Sequence, residues 1–229
     1  MTPRRLQPLL ALVALPVLMA PGRCGFIVDF TETVLIPDDS TRVVLDTDDG
    51  QVVATSYERQ AILLKRHTKA FEPSIGPVKW YVEDTTVHLE AHCKYEGNCS
   101  FDHMLEVPLG ISFEISMQAA NIHLGYIGGD IDATFESGFF EGIRLESPNT
   151  RLELDDGGVS LDYAVAPESV VVALRDGDVE LAVPPGAYRC NFEGGADVDT
   201  ASEISCDAAA TAVLDITVET GTITVKGAE

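Results

Sequence analysis

The chain has 229 residues, with 37 acids against 15 lysines and arginines and a formal net charge of −22 at pH 7. A field of that sign repels nucleic acid phosphates and anionic lipid headgroups and favours cationic partners. It also helps keep strand edges from pairing with those of neighbouring molecules.

The first residues read as a targeting segment. Arg4 and Arg5 form a positive start, and Leu6 to Ala20 is an apolar stretch of 15 residues. That is too short for a comfortable membrane span, and Pro8 and Pro16 argue against a buried helix. Export is therefore expected, with residues 1–24 as a leader and residues 25–229 as one domain. Two processing sites stay open. Ala20-Pro21-Gly22 offers small residues three and one before Arg23, while Cys24 is in place to become a lipidated first residue, with Arg23 fitting that signal poorly. A chain starting at Cys24 keeps 12 of its 15 basic residues, giving −25.

The region from residue 26 to 110 reads as β structure. Strand candidates are Val43-Val44-Leu45, Val52-Val53-Ala54, Ile62-Leu63-Leu64, Val78-Lys79-Trp80-Tyr81-Val82 and Val87-His88-Leu89-Glu90. Pro73 and Gly76-Pro77 predict a turn between two of them. Trp80, the only tryptophan, is expected to anchor the core.

Residues 121–187 organise the rest. Short runs alternate apolar with charged, as half-buried strands do. They are Asp130–Phe135, Ile143–Leu145, Arg151–Leu154, Val159–Asp162, Val170–Leu174 and Val179–Val183. Turns are expected at Gly128-Gly129-Asp130, Asp155-Asp156-Gly157-Gly158 and Arg175-Asp176-Gly177-Asp178. Asp156–Leu161 and Asp176–Leu181 align at a spacing of 20, and Gly128–Ala133 resembles them at an offset of 28. Such a period suits a coil of two short strands. The fold class expected is all-β, a β-solenoid-like stack of short strands, with a β-sandwich as the alternative. Glu193–Ala210 reads as a polar loop, and Ala212–Val225 as the hairpin or coil that caps the stack.

The pattern also resembles a known group. Phe30…Leu35-Ile36-Pro37, Val43–Ala54, Leu105–Gly110, the Gly-Asp-Val-type turns and the closing Ile216–Val225 are similar to the bacterial putative-adhesin β-strand-repeat family. The resemblance covers most of residues 29–227. The chain departs from the family in its irregular repeat spacing and its two cysteine-bearing insertions. The resemblance implies a β-solenoid-like fold and a cell-envelope location. It brings no catalytic residues with it.

There are five cysteines, an odd number for an exported protein. Pairing the most local ones gives Cys93 with Cys99 and Cys190 with Cys206. Cys24 is then left over, where a lipid would be attached. His88, His92, Cys93, Cys99 and His103 lie within 16 residues and are zinc-ligand types, but the cysteine spacing is wider than in zinc fingers. An oxidising compartment favours the disulfide. Asp46-Thr47-Asp48-Asp49-Gly50 echoes a calcium loop, but its glycine comes one position early and no bidentate glutamate follows. No Ser, His and Asp trio, phosphate loop or H-E-x-x-H helix is visible.

The expectation is therefore a non-catalytic envelope protein, with no catalytic residue, metal or cofactor. Its β-repeat surface would serve adhesion, scaffolding or binding of an envelope or extracellular partner. Membrane contact would come only through a lipid at Cys24. The alternatives are a glycan-active enzyme on a β-helix and a self-assembling scaffold.

Overall fold

The computed structural model describes residues 27–36, 39–71, 75–94, 99–195 and 197–228. The leader, Cys24, Pro73 and residues 95–98 lie outside the described residues.

The described chain is all strand, turn and bend. The strands are β1 (Ile27–Ile36), β2 (Arg42–Thr47), β3 (Asp49–Tyr57), β4 (Ile62–Phe71), β5 (Ile75–Glu83), β6 (Thr86–Cys93), β7 (Cys99–Pro108) and β8 (Ser112–Gly125). They continue with β9 (Ile131–Leu145), β10 (Asn149–Tyr163), β11 (Ser169–Val183), β12 (Gly186–Gly194), β13 (Asp197–Thr200), β14 (Ile204–Cys206) and β15 (Val213–Gly227).

The centre of the molecule is a parallel, in-register stack of β8, β9, β10, β11 and β15. Each of these long strands is one solenoid coil folded in two. In β10, Leu152 and Leu154 point inward before the bend, and Val159, Leu161 and Tyr163 after it. Inward positions switch from even to odd numbers at Gly157, so both arms turn their apolar side toward the same core. The ends of the folded strand meet. The buried Tyr163 hydroxyl donates to Thr150 Oγ1 at 2.6 Å, although the two residues are 13 apart in sequence. One continuous cluster of Val, Leu, Ile and Phe from both arms fills the space between them.

Several sequence expectations change here. Ile143–Leu145, Val159–Asp162 and Val179–Val183 are not separate strands; each is the second arm of β9, β10 or β11. The segments around Gly157 and Gly177 are corners within a strand, because a chain that bends without reversing keeps its parallel neighbours. The third repeat copy is out of register. Gly157 stacks on Gly138 and Gly177, while Ile131 pairs with Thr150. Gly128-Gly129 is the loop between coils. Gly76-Pro77 falls inside β5, where the ladder to β6 shifts register between Ile75 and Val78.

Both ends of the stack depart from a pure solenoid. At the amino-terminal end, β1 pairs β4, β4 pairs β7 and β5 pairs β6, all antiparallel. At the other end, β15 is not the cap. It lies on β11, while β12 and β13 pair its far side. The polar segment 193–210 holds β13 and β14, and this earlier part of the chain closes the stack.

Candidate functional site

The corners stack into a ridge. Gly50, Ala120, Gly138, Gly157, Gly177 and Gly221 occupy successive levels. A Cβ on Gly157 would lie 1.7 Å from the Gly138 carbonyl oxygen, and Gly157 has φ +141°. Successive backbones are therefore too close at this column for a side chain. Ala120 is the exception, and its φ is not positive.

Beside this ridge the coils present their polar positions in columns. The residue before each corner is Asp49, Ala119, Ser137, Asp156, Asp176 and Thr220 in turn. On one flank lies a groove of about 380 Å³ whose walls carry Asp46, Asp48, Glu136, Glu153 and Asp155. These carboxylates come from three coils, the β2–β3 coil, β9 and β10, while β8 between them contributes Ser116 and Gln118. His92 stands beside it, with Nδ1 at 3.1 Å from Asp48 and Nε2 at 3.5 Å from Asp46. Arg175 reaches Asp155 at 3.5 Å. The groove's aromatic residue, Phe135, is only 2% exposed and belongs to the core. On the other flank a second groove, of about 560 Å³, is lined by Gln51, Asn121, His123 and Asp102 among others. His123 Nδ1 lies 2.7 Å from Glu141.

The residues suspected of binding zinc are scattered. Cys93 and Cys99 are joined as a disulfide, with Cα atoms 5.8 Å apart. His88 is on the outer face of β6, stacked on Tyr81 with ring centroids 4.7 Å apart. His103 faces the core and is fully buried. Burial lowers its pKa to about 3, helped by the nearby Arg66 charge, so the ring is neutral. Among the described residues no group of three or more His, Cys, Asp and Glu is placed to hold a metal. Asp46 to Gly50 is a coil corner, with Asp48 accepting from the Cys93 backbone N–H. Cys190 and Cys206 are also joined, Cα to Cα 5.4 Å, tying β12 to β14. Trp80 packs against the core from β5.

Two polar groupings at the amino-terminal end were not visible in the sequence. Arg66 is 1% exposed and donates to Glu32 at 2.8 Å and to the Lys79 carbonyl at 3.4 Å. On the outer face, His67 lies between Asp29 at 2.8 Å and Asp102 at 3.4 Å. Asp29, then Asp102, holds the His67 pKa above its ordinary value.

No protein-family model matches the chain, and no curated protein is significantly similar to it in sequence. Similar solved structures exist, and they are bacterial. A putative cell adhesion protein from Clostridium sporogenes ATCC 15579 is 15% identical, with a TM-score of 0.45, over 88% of this chain and 100% of that one. A putative adhesin from Bacteroides fragilis NCTC 9343 is 12% identical, with a TM-score of 0.34, over 86% and 96%. A putative lipid binding protein from Parabacteroides distasonis ATCC 8503 is 9% identical, with a TM-score of 0.32, over 86% and 96%. Two of these three names agree with the resemblance seen in the sequence.

Proposed function

We propose that this chain is an exported, non-catalytic binding protein of the bacterial cell envelope that engages a cationic partner along its acidic corner groove. The observation that supports the reading is the placement of Asp46, Asp48, Glu136, Glu153 and Asp155 along one groove. A stacked fold repeats the same outward position every 4.7–4.9 Å, so acids from the β2–β3 coil, β9 and β10 line one groove, with the polar Ser116 and Gln118 of β8 between them. An extended cationic chain matches that shape and sign. The two disulfides fit an oxidising compartment. The groove offers carboxylates but no exposed aromatic platform, which weighs toward binding and away from glycan turnover.

The test is calorimetric titration of the leaderless protein with hexalysine and with a neutral peptide of equal length. Binding of hexalysine alone, weakened by salt and by the triple change Glu136→Gln, Glu153→Gln and Asp155→Asn, is the expected result. Equal affinity of the triple variant and the wild type overturns the assignment of the groove. A change of Glu180 and Glu193, which lie away from it, serves as the control.

A further inference from the structure

Stacked-strand proteins expose sheet edges at their ends, and such edges pair with other chains unless they are guarded. The guards seen in proteins are short length, proline, lysine, bulges and charge. Three of this molecule's end strands carry them. β5 has Pro77, Lys79 and a register shift between Ile75 and Val78. β13 has four residues, two of them aspartates, and β14 has three.

β1 is different. It is ten residues long, contains neither proline nor lysine, and among the described residues is paired on one side only, by β4. Its two charges are already neutralised within the molecule. Asp29 faces His67, and Glu32 turns inward to Arg66. Ile27 and Leu35 are 63% and 66% exposed, and Phe30 is 40% exposed although it lies on the core side of the strand. The core is thus open at this edge. On the neighbouring strand Phe71, opposite Ile27, is exposed as well.

We propose that β1 pairs antiparallel with β1 of a second copy of this chain, about a twofold axis at Thr31. The strand's own sequence supports that occupant and that register. Side chains opposite one another share a face, so a centre at Thr31 sets Ile27 against the partner's Leu35 and Val28 against the partner's Val34. The two most exposed apolar residues of the strand cover each other. Centring the pair one residue later, on Glu32, would place like charges face to face. On the core side Val28 and Val34 of both copies meet, Phe30 lies over the partner's Glu32, whose carboxylate stays on Arg66, and the edge disappears from both molecules at once.

The chain's own amino-terminus is too short to take this place after export. The edge is about 34 Å long at 3.4 Å per residue. A chain cut before Arg23 or Cys24 keeps only three or four residues ahead of Ile27.

The experiment uses the leaderless chain from Gly25 onward, which also removes Cys24. Light scattering coupled to size exclusion is expected to give twice the monomer mass. Leu35→Lys, at a position exposed in the single chain, should halve that mass while the circular dichroism stays unchanged. Mild oxidation of Thr31→Cys should yield a covalent dimer, and Thr33→Cys should not, because it lies opposite the partner's Asp29. A monomer at every accessible concentration overturns the proposal, including one that binds vesicles or another protein through this face. A dimer indifferent to Leu35→Lys and not cross-linked at position 31 overturns it too. None of these readouts involves the acidic groove, so failure here and failure of the binding proposal are separate results.

Discussion

Replacing Gly157 by alanine tests the central geometry of the stack. The corner has φ +141°, and the new Cβ would sit 1.7 Å from the Gly138 carbonyl oxygen. Backbone strain of a non-glycine residue in such a region costs about 1–3 kcal/mol. Relieving the clash means moving two coils apart by more than an ångström. That breaks adjoining ladder hydrogen bonds, each worth about 1 kcal/mol net. Two such bonds bring the expected loss to roughly 3–5 kcal/mol, a large fraction of a typical domain's 5–15. For a domain of this size about 2–4 °C follows each kcal/mol, so Tm should fall by roughly 6–20 °C. Urea and thermal unfolding of Gly157→Ala should be compared with Gly128→Ala. The nearest atom to a Cβ on Gly128 is an ordinary 3.6 Å away. If the two variants lie within about 1 kcal/mol of each other, the reasoning about the stacked corners is wrong.

Four further outcomes are expected. Reducing Cys190–Cys206, whose ends are 16 residues apart, should cost about 3 kcal/mol on the chain-entropy account, measured by denaturation with and without reductant in a Cys93→Ser/Cys99→Ser background. Glu32→Ala strips the buried Arg66 of its carboxylate partner and should destabilise by about 3–5 kcal/mol, while the double change to Glu32→Ala/Arg66→Met should recover most of it. His103 is held neutral with a pKa of about 3, below its unfolded value. Its contribution is complete above pH 6.5 and is lost as pH falls toward 3, at up to roughly 1.4 kcal/mol per pH unit; His103→Leu should flatten that slope in pH-dependent unfolding. His67 has the opposite sign. Its raised pKa gives stability that is complete below the unfolded value and is lost as pH rises through the folded one, so His67→Gln should destabilise in mild acid and be neutral in mild base.

Much of this protein was legible in local pattern. Alternation in Arg151–Leu154 and Val170–Leu174 fixes which side chains face inward, because a strand has a period of two whatever it pairs with. The spacing of 20 between Gly157 and Gly177 carries the length of one coil, and the corners before it follow at 19 and 18 residues because the loops between coils absorb the difference. Those signals are local or periodic, and a linear sequence displays both. The tertiary structure alone decided the rest. Whether Asp155 to Gly158 reverses the chain or bends it depends on neighbours to either side, not on its four residues. The carboxylates of Asp46, Glu136 and Glu153 converge although up to 107 positions separate them, because the corner of one coil lies over that of the next. The partnership of Arg66 with Glu32 depends on antiparallel pairing at the end of the stack, where the repeat no longer applies. The sequence determines what each coil looks like by itself; the order of stacking, with β12 and β13 beyond β15, is set by which faces are left to bury, and only the folded chain shows it.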